Sequence, residues 1–317
     1  MPKKNPILPD PAVVEPEAPE AWSVLLEDPF GPPAPPPKPP KPPLPDARKR
    51  AFTLGDRFAQ GDVCDLFHYV APDIDGVLKI ARSAQDNDLV ENEARVLDTL
   101  YPPEQGDEKF YRYLPRLFDA FLMQDAATGP RRATVLPYLK EYRGLDEVRQ
   151  AHSKGLDYLD VLWMAFRMLA GIGFVHVKGF VHGAVLPPHV MVDPRGHGAK
   201  FIDWCYAVPT GDRVKAISPA YRVFYAPEIL EKKPVSAATD LYMVGKCIVA
   251  VLGGDVPTNE MPSTVPTPFR EFVSKFLVYD KAGRPTDAWA LHDELEAVLR
   301  RMGVERKYRV LDMPPRT

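Results

Sequence analysis

Seventeen of the chain's 37 prolines lie before residue 46, closing in a tract from Pro32 to Pro45 in which Lys38 and Lys41 are interspersed. Proline lacks an N–H and holds φ near −65°, so it serves neither a helix interior nor a sheet ladder, and such a stretch favours extended polyproline II. Residues 1–50 therefore read as a disordered, proline-rich tether, and a packed fold has to come from the residues beyond it. Within the tether, Trp22, Leu25 and Leu26 make a small apolar patch at helical spacing behind the acidic stretch Glu15 to Glu20. It is either a docking peptide, for a partner or for the chain's own domain, or an incidental cluster in a linker. The basic run Arg48-Lys49-Arg50 marks the solvated boundary.

The rest is long enough for one bilobal domain, in a chain of 317 residues that is 45% apolar. A formal net charge of −3 leaves no electrostatic footprint for nucleic acid. Cysteines at 64, 205 and 247 have no CxxC spacing, which argues against a zinc site or a disulfide framework and predicts a reducing, cytoplasmic setting. No apolar run approaches the roughly 18 residues of a bilayer span, and the polar beginning lacks a signal-peptide core, so no membrane association is expected.

From Phe52 to about Met302 the pattern changes along the chain. Alternation through Phe52-Thr53-Leu54 and Leu78-Lys79-Ile80, with turns at Pro72-Asp73 and Asp75-Gly76, predicts short antiparallel strands. A helix from Asp88 to Leu100 carries Leu89, Glu93, Leu97 and Leu100 on one face. Further helices are predicted at 157–172, 237–252, 268–277 and 286–301. The expected class is α+β: a small antiparallel-sheet lobe containing one helix, then a larger, mainly helical lobe. Domain 51–303 would be followed by a tail, 304–317.

An ordered set of short motifs runs through this frame. Gly61 lies in a loop, Phe58 to Phe67, where a small residue lets backbone amides approach a phosphate. Val77-Leu78-Lys79 offers a cation, and Glu93, on the apolar face that Glu91 does not share, can restrain it. Further on come Val181-His182-Gly183-Ala184-Val185-Leu186-Pro187-Pro188-His189, Asp203-Trp204-Cys205, Ala226-Pro227-Glu228, Asp240-Leu241-Tyr242-Met243-Val244-Gly245 and Arg284-Pro285. In order and spacing, residues 52–302 resemble a bacterial-type, eukaryotic-like protein kinase domain, as a degenerate, pseudokinase-like member. The resemblance implies that Gly61, Lys79, Glu93 and Asp203 bind ATP, with hinge residues Pro137, Tyr138 and Leu139 packing the base. It implies that Asp203 holds magnesium, or manganese, with His189 as a further candidate ligand. His182, Glu228, Asp240 and Arg284 take structural roles, Glu228 pairing with Arg284.

The departures from the family pattern govern the chemistry. Ala184 stands where an aspartate orients the acceptor hydroxyl, and a methyl group cannot accept a proton. Leu186 replaces the lysine beside the transferred phosphoryl group, and His189 the asparagine that holds a second magnesium. Gly183 replaces an arginine that receives activation-loop phosphate. Ala59 and Cys64 replace two loop glycines, and Asp62 and Asp65 add negative charge there. Cys64 and Cys205 face one cleft, as ordinary packing or as a redox pair. A hydrolase built on His182 and Asp203 would lack an activated serine or cysteine. The leading expectation is an ATP-binding or scaffold domain with weak or absent phosphotransfer, recruiting a protein partner through its tether or its kinase-like surface. The alternative is an active, unconventional Ser/Thr protein kinase in which Lys79 and Asp203 act on ATP and another group positions the acceptor hydroxyl.

Overall fold

In the computed structural model, residues 53–101, 109–124, 129–305 and 307–315 are described. The tether and its Trp22 patch lie outside them. The architecture is bilobal, with a β-rich small lobe and a larger helical lobe, as in protein kinases.

The small lobe is a five-stranded antiparallel sheet in the order β1-β2-β3-β5-β4. Its strands are β1 (Thr53–Gln60), β2 (Cys64–Ala71), β3 (Ile74–Ala81), β4 (Asp119–Met123) and β5 (Arg131–Pro137). The period of two separates its faces. Leu78 and Ile80 of β3 join Tyr69, Ala133 and Val135 in a small core. Lys79 is therefore on the other face, paired across the ladder with Leu66 and Thr134. Against that face packs α1 (Asn87–Leu100), whose buried stripe is Leu89, Val90, Glu93, Val96, Leu97 and Leu100. The helix begins one residue earlier than the periodicity predicts.

The large lobe is organised on α3 (Tyr158–Val177), which packs against α5 (Ala237–Val251) and α7 (Ala288–Met302). By length and composition α3 could cross a membrane, contrary to the expectation that no run reaches that length. It is instead the lobe's central helix, with 83% of its most apolar window buried. Between the lobes, β6 (Arg143–Gly144) leads into α2 (Leu145–Ala151); β7 (Phe180–Val181), β8 (Val190–Val192), β9 (Ala199–Phe201) and β10 (Val208–Pro209) frame two short ladders. α4 (Pro227–Leu230) and α6 (Thr267–Ser274) complete the lobe. Neither α2 nor α4 was predicted: at two turns or fewer, they leave too little periodicity to read.

Residues 307–315 run back over the large lobe. His197 stacks on Trp163 with ring centroids 4.3 Å apart and meets Tyr308 at 4.8 Å. Arg309 pairs with Asp160 at 3.0 Å, and Leu311 is buried with its N–H on the Pro194 carbonyl.

Candidate functional site

The site forms where β3, α1 and the turn after β9 meet. Lys79 is only 6% exposed, and its Nζ donates to Glu93 Oε1 at 3.0 Å, to Asp203 Oδ1 and to the Cys205 sulfur at 3.2 Å. Glu93 is fully buried and further held by the Trp204 N–H (3.0 Å) and the Thr134 hydroxyl (3.2 Å). Glu91, by contrast, points outward to Arg132. Lys79, Glu93 and Asp203 thus converge from positions up to 124 residues apart. Burial by itself would lower the Lys79 pKa, but Asp203, Cys205 and Glu93 outweigh it and raise it well above the usual lysine value. For Asp203, burial would raise the carboxyl, yet Lys79 and His189 together hold it well below the usual carboxylate range. This residue sits at φ 64°, a left-handed conformation that aspartate tolerates better than most.

Asn92, which no motif flagged, fastens α1 to this turn. Its amide donates to the carbonyls of Cys205 (3.1 Å) and Ala207 (2.8 Å). A polar residue beside the buried Glu93 was the only sequence signal for it. Cys64 and Cys205 are buried free thiols in contact. The hydrogen bond that the Cys205 thiol makes to Cys64, and then burial, push the Cys205 thiol well above its ordinary pKa.

The loop from His182 to His189 is braced from beneath by Asp240. This fully buried carboxylate accepts the N–H groups of His182 (2.8 Å) and Gly183 (2.9 Å) and meets His176 Nε2 at 2.9 Å. His182 Nε2 donates to the Ile202 carbonyl (3.1 Å), and burial depresses its pKa to about 4, so the ring is neutral. Gly183 has φ 73°, and a Cβ there would lie 2.9 Å from the Tyr206 carbonyl oxygen. The arginine of the family pattern therefore has no room in this backbone. Gly183→Ala should lower unfolding free energy by about 2 kcal/mol or more. Chemical denaturation would check this, and an unchanged midpoint would contradict the strain argument. Ala184, Val185 and Leu186 are all fully buried and belong to the large hydrophobic core. His189 leaves that core: its Nδ1 lies 2.9 Å from the Ala184 carbonyl oxygen, and its Nε2 3.1 Å from Asp203 Oδ2.

The remaining predicted residues fall around this cluster. Gly61 turns the chain between β1 and β2, its N–H on the Cys64 carbonyl (2.8 Å). A Cβ there would make only an ordinary 3.5 Å contact, so packing does not demand the glycine. Asp65 is directed to Arg57 at 3.3 Å. In the hinge, Pro137 has no N–H and the Tyr138 N–H donates to Asp75, so a base could reach a donor among 137–139 only through Leu139. Glu228 and Arg284 form a buried two-bond pair (2.8 and 3.0 Å).

One ligand atom each from Glu93, Asp203 and Cys205 lies within 4.8 Å of the others, a group able to hold a metal ion. Magnesium fits it poorly. That ion takes oxygen ligands in near-octahedral array. Here one Asp203 oxygen faces the Lys79 ammonium and the other the His189 ring, both Glu93 oxygens accept hydrogen bonds, and the third ligand is sulfur.

No protein-family model matches the chain. It is 25% identical over 120 residues to the STE20-related kinase adapter protein alpha of Gallus gallus, covering 35% of this chain and 31% of that protein. It is 28% identical over 105 residues to the serine/threonine-protein kinase dkf-1 of Caenorhabditis elegans, covering 31% of this chain and 14% of that one. It is 24% identical over 157 residues to mitogen-activated protein kinase kinase kinase 3 of Arabidopsis thaliana, covering 43% and 28%. The chain thus spans less than a third of each relative's length. These similarities establish a distant, kinase-like superfamily link to eukaryotic-type Ser/Thr kinases and kinase adapters.

Proposed function

We propose that residues 52–302 form a kinase-shaped nucleotide-binding or scaffold module in which phosphoryl transfer is weak or absent. One observation carries this reading: Ala184 and Leu186, at the positions of the acceptor-orienting acid and the phosphoryl-stabilising lysine, are absorbed into the apolar core. Phosphoryl transfer depends on positioning and on charge at the migrating group, and neither side chain contributes either. Lys79, Glu93 and Asp203 favour binding of ATP phosphates, with Gly61 and the 137–139 hinge at the two ends of the nucleotide. A protein partner, met through residues 1–50 or the kinase-like surface, is in keeping with the kinase adapter among the similar proteins. The three buried free thiols favour a cytoplasmic setting.

The second reading, an unconventional Ser/Thr kinase, draws on the assembled Lys79–Glu93–Asp203 cluster. A radiolabelled transfer assay with autophosphorylation and generic protein acceptors separates the two. Turnover should fall at least about a hundredfold short of the ~1–100 s⁻¹ of protein kinases, since a missing general base alone removes that much. Stoichiometric transfer at kinase-like rates, abolished by Asp203→Ala, would establish the second reading instead.

A further inference from the structure

The tail after α7 lies along the large lobe without a helix or strand of its own, and its burial alternates. Tyr308, Val310 and Asp312 are exposed, whereas Arg309 and Met313 are half-buried and Leu311 is buried. A period of two is the pattern of a chain laid extended on a surface that takes every second side chain. Arg309 meets Asp160 at 3.0 and 3.3 Å and Asp157 at 3.7 Å, at the start of α3. Leu311 joins the large-lobe core, and Met313 packs against it two places on. The main chain between them is held by bonds that read no side chain of the tail. His152 Nε2 donates to the Asp312 carbonyl at 2.8 Å, His197 Nε2 to the Arg309 carbonyl, and the Leu311 N–H to the Pro194 carbonyl at 2.9 Å.

The geometry points to a peptide-docking groove between the start of α3 and the turn joining β8 to β9, which takes a partner's extended segment of the alternation Arg-x-Leu-x-Met and is closed in cis by residues 307–315. The proposal rests on the reading above that the kinase-like surface meets a protein partner, and it names the surface and the chemistry that fits it. Charge selects the first position. Burial raises the Asp160 carboxyl pKa and Arg309 opposes it, so an occupant without a cation there leaves a poorly solvated acid unpaired. Apolar burial selects the other two positions. The tail has the character of a bound ligand: the Arg309 side chain stays 37% exposed, and Val310, between the two anchors, is 57% exposed. Residues 303–307 tether it beside the groove, so it competes at an effective concentration on the order of millimolar. A partner segment must exceed the tail's own affinity or meet a tail already released.

The test uses the full chain, with a fluorescein-labelled peptide of residues 307–315 as the probe, read by anisotropy. In the double variant Arg309→Ala, Leu311→Ala, whose own tail has lost both anchors, the peptide should bind with a Kd of about 100 μM or tighter. Wild type should bind it at least about tenfold more weakly, because its tail fills the groove. Peptides carrying Arg309→Glu or Leu311→Asp should lose about tenfold or more in affinity for the double variant, whereas Val310→Ser should stay within about twofold. No saturable binding to the folded double variant, or equal losses from the changes at 310 and 311, would overturn the groove and leave the partner reading to residues 1–50. Equal binding to wild type and double variant would overturn the closure by the tail. Dimerisation of wild type that the double variant loses would assign the groove to the tail of a second copy and overturn the partner assignment. If thermal unfolding shows the double variant to be misfolded, hydrogen exchange in wild type decides. The Leu311 amide should exchange far faster than the amides of α3, through local release of the tail, and exchange at the α3 rate would overturn the proposal.

Discussion

Arg284→Met should lower the unfolding free energy by about 3–5 kcal/mol, the usual cost of removing one partner from a buried ion pair. The guanidinium makes two bonds to Glu228, donates to the Val278 and Tyr279 carbonyls, and lies 4.6 Å over the Tyr242 ring. Methionine keeps the stem's volume but leaves the Glu228 carboxylate buried, with the Thr239 hydroxyl at 2.7 Å as a neutral donor. For a domain of this size that corresponds to a fall in Tm of about 10 °C. Pairing the change with Glu228→Met should recover much of the loss, because no unpaired charge then remains. Single variants within about 1 kcal/mol of wild type, measured by chemical denaturation, would show that the pair does not hold the segment ending at Glu228 to the large lobe.

Asp240→Ala should cost about as much, for a different reason. It strips the acceptor from two buried N–H groups, those of His182 and Gly183, and from the His176 ring. Each orphaned buried donor costs about 1–3 kcal/mol. The loss should be local as well as global: the amides of His182 and Gly183 should exchange with solvent far faster than those of α5. Asp240→Asn, which keeps one carbonyl acceptor, should fall between alanine and wild type. Unchanged exchange at residues 182 and 183 in Asp240→Ala would mean that the loop is braced by the surrounding core and not by this carboxylate.

The positions of the site were largely legible in the chain because the signals for them are local. Glu93 could be told from Glu91 by its place on the stripe of Leu89 and Leu97, and in the structure only Glu93 reaches Lys79. Alternation about Leu78 likewise put Lys79 on the face opposite the small-lobe core. Asn92 was illegible because its partners are backbone carbonyls more than 110 residues away, and a carbonyl carries no residue identity. The short helices α2 and α4 were missed for want of two full turns of pattern. The length of α3 was underestimated because a helix buried on nearly every side shows little periodicity.

By itself the amino-acid sequence determined the bilobal order of elements and the residue types that stand at Lys79, Glu93, Asp203 and Ala184. These come from residue type and spacing along one strand, helix or loop, which no distant contact can alter. Only the tertiary structure decided what the exchanged residues do. It buried Ala184 and Leu186 in the core, gave Gly183 a backbone that excludes the family's arginine, and set His189 between a carbonyl and a carboxylate. A carboxylate's free oxygens depend on which atoms lie within about 3 Å, and here those atoms come from distant parts of the chain.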